Sequence, residues 1–77
     1  MHRFDRAAAA ARIAVAIRET GRSIPEVARA CGLPVPTVET LIYRRSLPNA
    51  ATLARLCAGI GVSADWLLFG EEELACG

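Results

Sequence analysis

Lysine is absent from this chain, and all nine of its cationic side chains are arginine. A planar guanidinium fork matches phosphate and carboxylate better than a hydrated ammonium does, so the absence points towards anion recognition. A base-composition bias that enriches alanine and arginine together accounts for it equally well. Histidine occurs once, at His2, and the three cysteines, Cys31, Cys57 and Cys76, form no CxxC pair. A metal site would need ligands from three distant segments, and a nucleophile, base and orienting acid are hard to assemble from one histidine near a terminus. Catalysis, a metal centre and a cofactor are therefore not expected. No apolar run approaches the roughly 18 residues of a membrane span, and no secretory leader is evident, so the thiols suit a reduced, soluble, cytoplasmic setting.

What is present bounds the answer further. The 77 residues allow one domain, and a chain this short buries only roughly 60% of its unfolded surface. Marginal stability makes association of subunits an expectation. Although 53% of the residues are hydrophobic, many are alanine, which favours helix without adding core volume. The net charge of +1 excludes a uniformly basic molecule that coats nucleic acid without selectivity, so any basic footprint must be local.

Neither strand alternation nor a flexible linker interrupts the chain. Turn signals at Gly21, Gly32 to Pro36, Ser46 to Asn49 and Gly61 to Ser63 divide it into five segments, each of which reads as a helix. The first runs from about Asp5 to Thr20, with Ala9, Ile13, Ala16 and Ile17 at helical spacing. Ser23-Ile24-Pro25-Glu26 has the S-x-x-E form of a capping box and opens the second, which carries Val27, Ala28 and Cys31 inward and stops at Gly32. The third is expected from Val35 or Pro36 to about Arg44, with Val38, Leu41 and Ile42 facing the core. Asn49 caps a fourth that presents Leu53, Leu56, Cys57 and Ile60. Ser63 caps a short fifth, Ala64 to Phe69, and the acidic stretch 71–77 is expected to fray.

The spacing of Ala28, Gly32, Val38 and Leu41 fits two helices that need a small residue at their crossing, a glycine where the chain reverses and apolar contacts beyond it. This predicts a helix-turn-helix from Ile24 to about Tyr43. From Arg12 to about Gly70 the chain resembles the DNA-binding domain of the phage repressor and Cro superfamily. The residues that carry the likeness are Arg12-Ile13, Ala16-Ile17, Thr20-Gly21, Ser23, Glu26-Val27-Ala28, Cys31-Gly32-Leu33, Thr37-Val38, Pro48, Thr52-Leu53, Leu56-Cys57 and Gly61 to Leu68. The resemblance implies an all-α, compact, five-helix repressor-like domain over residues 1–70, with the helix-turn-helix at helices 2 and 3. It also implies that the third helix enters the major groove of double-stranded DNA while the second crosses the backbone.

On that likeness Val35, Pro36, Glu39, Thr40 and Tyr43 face the bases, a poor kit for guanine, which is usually read by Arg or Lys. Arg22 and Ser23 before the second helix, Arg44, Arg45 and Ser46 after the third, and Asn49 at the fourth are the candidates for phosphate. Trp66, Leu67, Leu68 and Phe69 crowd four large apolar groups onto one short helix, which predicts a homodimer and a palindromic operator. The chain departs from the family pattern on the DNA-facing surface: Ile24 stands where glutamine is usual, and Pro34, Val35 and Pro36 replace a polar run. Leu41-Ile42-Tyr43-Arg44 replaces the frequent Trp-Glu-Asn-Gly. The expected function is a sequence-specific transcriptional regulator, a repressor; the alternative is a helix-turn-helix scaffold that binds a protein partner, as an adaptor or antirepressor does.

Overall fold

The computed structural model describes residues 4–70, so the acidic stretch 71–77 and His2 lie outside the described residues. Helices α1 (Arg6–Glu19), α2 (Ile24–Cys31), α3 (Val35–Glu39), α4 (Ala50–Ile60) and α5 (Ala64–Phe69) follow one another, with a π-helical turn, Thr40–Arg44, continuing α3. The described residues contain no strand. None of these helices is long and apolar enough to cross a membrane.

Side-chain caps set where the helices begin. The Asp5 carboxylate accepts from the Ala8 amide at 3.1 Å, the Asn49 side-chain oxygen from Thr52 at 2.8 Å, and the Ser63 hydroxyl from Trp66 at 3.0 Å. Each satisfies an amide that has no partner within its own helix, worth about 1 kcal/mol relative to alanine. The Ser23–Glu26 capping box closes in both directions. Helix α3 starts without a side-chain cap, behind Pro34; Pro36 in its first turn has no amide to leave orphaned.

The expected single α-helix from Val35 to Arg44 is corrected at its second half. There the Pro36 carbonyl accepts both the backbone amide and the hydroxyl of Thr40, the latter at 2.9 Å. Such back-bonding competes with the helical ladder, and the ladder loosens into the π turn immediately beyond. Consecutive residues Leu41 and Ile42 are both buried in that wider turn.

A single core unites the helices. Ile13 and Ile17 from α1, Val27 from α2, Val38 from α3, Leu56 from α4 and Leu67 from α5 are the largest fully buried side chains. Burying each is worth about 1.5–3 kcal/mol. Of the stripe expected on α4, only Leu56 is buried outright; Leu53, Cys57 and Ile60 pack half-exposed around it.

Two tertiary contacts lock this arrangement. The Arg12 guanidinium, from α1, donates through Nε to the Leu67 carbonyl at 3.0 Å and through Nη2 to the Leu68 carbonyl at 2.7 Å. It thereby caps the last turn of α5, where helical carbonyls lack partners. Helices α2 and α4 meet at Gly59, where a Cβ would lie 2.7 Å from the Cys31 Cα and 2.9 Å from the Ala30 carbonyl oxygen. Those neighbours are backbone and cannot swing aside.

Gly59→Ala should therefore destabilise the protein by about 1–2 kcal/mol, although alanine is by about 1 kcal/mol the better helix former. Urea unfolding followed by circular dichroism measures this. A variant as stable as the parent would mean that α2 and α4 do not pack this closely.

Candidate nucleic-acid interface

The turn between α2 and α3 is built from backbone chemistry. Gly32 takes up the left-handed conformation at φ 68°, where a β-carbon is penalised, and the Leu33 amide donates back to the Ala28 carbonyl at 2.9 Å. From α4, Arg55 Nη1 donates to the Gly32 carbonyl at 3.0 Å, pinning the turn to the rest of the domain. Leu33 itself packs against the core. The relative orientation of α2 and α3 is thus held from both sides.

Helix α3 and the π turn that continues it display Pro36, Glu39 and Tyr43 outward, with Tyr43 68% exposed. Val35 and Thr40 are half-buried, and Val35 rests partly on the core. Because the Thr40 hydroxyl donates to the Pro36 carbonyl, it is left as an acceptor. The versatile donor expected from the sequence is narrowed to a group that accepts from an exocyclic amine, such as adenine N6 or cytosine N4.

The start of α2 is the expected capping box, which occupies the Ser23 amide. The Ser23 amide donates to Glu26 Oε1 at 2.8 Å, while the Glu26 amide donates to the Ser23 hydroxyl oxygen at 3.3 Å. Hydrogen bonds from the Ser23 backbone and side chain hold the Glu26 carboxyl below its ordinary range, with smaller help from Arg22 and Arg29. A fixed negative charge therefore sits where a phosphate would approach. The donors of Ser23 face Glu26, which leaves Arg22, exposed at the same corner, to meet an anion.

Beyond α3, Arg44, Arg45, Ser46 and Asn49 are all exposed. The Asn49 oxygen is taken by the cap of α4, so its amide NH₂ remains for an outside acceptor. Arg45 is the only described residue other than glycine with positive φ, at 53°. Among the described residues, only Arg12 and Arg55 give their guanidinium groups to hydrogen bonds within the protein. The sequence does not single out Arg18, which looks like the solvent face of a core helix. In the fold it shares a shallow dent with Arg22, Ile24, Ile42 and Tyr43, so two arginines flank one apolar depression at the end of α3.

The surface proposed for self-association is corrected at Leu67, which is fully buried within the single chain and held there by the core and Arg12. Trp66, Leu68 and Phe69 stay half-exposed, Phe69 meeting Phe4 edge to face with ring centroids 6.3 Å apart. A separate open groove between α1, α4 and α5 is lined by Ala16, Ile60, Val62 and Trp66 among others. The free thiols of Cys31 and Cys57 are both pushed up by burial. Among the described residues no group of three or more His, Cys, Asp or Glu side chains is placed to hold a metal ion.

No protein-family model matches the chain, and neither a curated protein nor a solved structure is significantly similar to it.

A left-handed conformation costs an L-residue about 1–2 kcal/mol, and glycine returns part of that through its greater freedom when unfolded. Replacing Arg45 by glycine should therefore stabilise the fold by about 0.5–1 kcal/mol, read as a rise in thermal midpoint. A fall in the midpoint would show that the arginine side chain itself supports the fold.

Proposed function

We propose that this protein is a sequence-specific, double-stranded DNA-binding transcriptional regulator, a repressor that works as a homodimer. The observation that carries the reading is the outward face of α3 and the π turn, with Pro36, Glu39, Thr40 and Tyr43, next to exposed arginines: Arg22 shares a dent with Tyr43, and Arg44 and Arg45 follow it directly in the chain. Phosphate contacts fix register and orientation, and the α3 side chains then read base edges. Thr40 accepts from an amine, Glu39 from a cytosine amine, and Val35 meets a thymine methyl group. Repression follows from occupying the operator.

Self-association uses the half-exposed Trp66, Leu68 and Phe69 of α5. Two copies related by a two-fold axis place their α3 helices in successive major grooves about 34 Å apart, which requires a roughly palindromic site. The free thiols of Cys31 and Cys57 suit the reducing cytoplasm, where such a regulator acts. A protein-interaction role is favoured by one specific observation: the outward positions of α3 carry no arginine or lysine, while Ile24 and Val35 remain part-exposed.

Affinity for a selected duplex and a scrambled one, measured across salt concentrations, separates these readings. Replacing Arg22 and Arg44 by alanine should weaken binding to both duplexes and lower the salt slope by about one per residue. Replacing Thr40 by valine should cost roughly 5- to 150-fold on the selected site and little on the scrambled one. If the unmutated protein binds neither duplex at about 50 mM salt, where phosphate contacts are strongest, the DNA reading fails. Loss of partner capture on changing Ile24 and Val35 would then support the protein-interaction role.

A further inference from the structure

One shallow dent gathers two arginines from separate elements, one of them in an unfavourable backbone conformation. It is lined by Arg6, Ala7 and Ala10 of α1 together with Arg45 and Leu47 from the segment that follows the π turn. Arg45 is in the left-handed conformation, which an unbranched L-residue adopts only at a cost. Arg6 opens the 14-residue α1 beside its Asp5 N-cap, at the positive end of the helix dipole. Both arginines line the same depression. The Asp5 carboxylate, which accepts from the Ala8 amide as the cap of α1, remains an anion and offsets only one of the two positive charges.

Breaches of local preference that coincide in space mark a site where something else compensates. An anion between Arg6 and Arg45 would offset the repulsion and favour the dipole at once, and two guanidinium forks suit the tetrahedral oxygens of a phosphate. We propose that Arg6 and Arg45 together bind one phosphate group, which in the duplex-binding reading, on which this rests, is a backbone phosphodiester contacted from the first turn of α1. The contact would extend the footprint beyond the two helices of the motif, to a residue near the start of the chain.

The test uses the full chain and the variants Arg6→Ala, Arg45→Gly and the double variant. Each single change should lower duplex affinity about tenfold and reduce the salt slope by about one. If both arginines hold the same phosphate, the double variant should lose less than the product of the two. Separately, inorganic phosphate should raise the thermal midpoint of the parent protein above that in chloride of matched ionic strength, and should not do so for Arg6→Ala. If the parent binds duplex and Arg6→Ala binds it equally well with an unchanged slope, the site is refuted while DNA binding stands. Strictly multiplicative losses would refute the shared phosphate. If the parent binds no duplex but phosphate stabilises it through Arg6, the site holds with a free phosphate as its ligand and the DNA reading fails; absence of both effects overturns both.

Discussion

The arrangement rests on a core so small that each helix contributes only one or two large, fully buried side chains to it. Ile13, Ile17, Val27, Val38, Leu56 and Leu67 are all fully buried, and removing the contribution of any helix leaves its partners facing water. Alanine makes this possible. Ala9, Ala10, Ala14 and Ala16 line the buried side of α1 and let neighbouring elements approach its backbone, so a few large groups suffice. The same economy explains why Arg12 and Gly59 matter: with little apolar area to spare, the fold relies on a guanidinium that closes α5 onto α1 and on a glycine that lets α4 reach α2.

That core also fixes the candidate interface. Val27 and Val38 anchor α2 and α3, Arg55 holds the carbonyl of the turn between them, and Leu41 and Ile42 anchor the π turn. Every outward side chain on α3 therefore projects from a backbone whose inner face is immobilised by packing, a requirement for reading a surface with short side chains. Tension with local preference is concentrated at the end of this element, where the ladder widens and Arg45 takes a backbone conformation suited to glycine. Functional surfaces are where such tension is expected to survive.

Sequence made the local features legible and left the long-range ones hidden. Helix starts could be read because Asp5, Ser23, Asn49 and Ser63 act on amides three residues away, and the turn at Gly32 because its conformation is a property of one residue. Nothing local in the sequence marks Gly59, since its reason lies in Cys31 and Ala30 on another element. Arg12 and Arg55 could not be told from solvated charges before the carbonyls they meet were placed. Leu67 reads as surface in the sequence because four apolar neighbours on a short helix do not reveal which one turns inward. The π turn escaped because Val38, Leu41 and Ile42 fit an α-helical stripe equally well. On the candidate surface, the engagement of Ser23 with Glu26 is legible as a capping box, whereas Thr40 looks like a free hydroxyl until the Pro36 carbonyl is seen beside it.

The central claim is that the α2–α3 face, with its flanking arginines, meets duplex DNA. Backbone amide chemical shifts of the labelled protein, recorded as a duplex is added, test it most directly. The account predicts that the largest changes fall on Arg22, on Pro36 to Tyr43 as far as amides exist there, and on Arg44 to Ser46, and that they shrink as salt is raised. Changes confined to Ala16, Ile60, Val62 and Trp66 in the groove between α1, α4 and α5, or no changes at all, would contradict it.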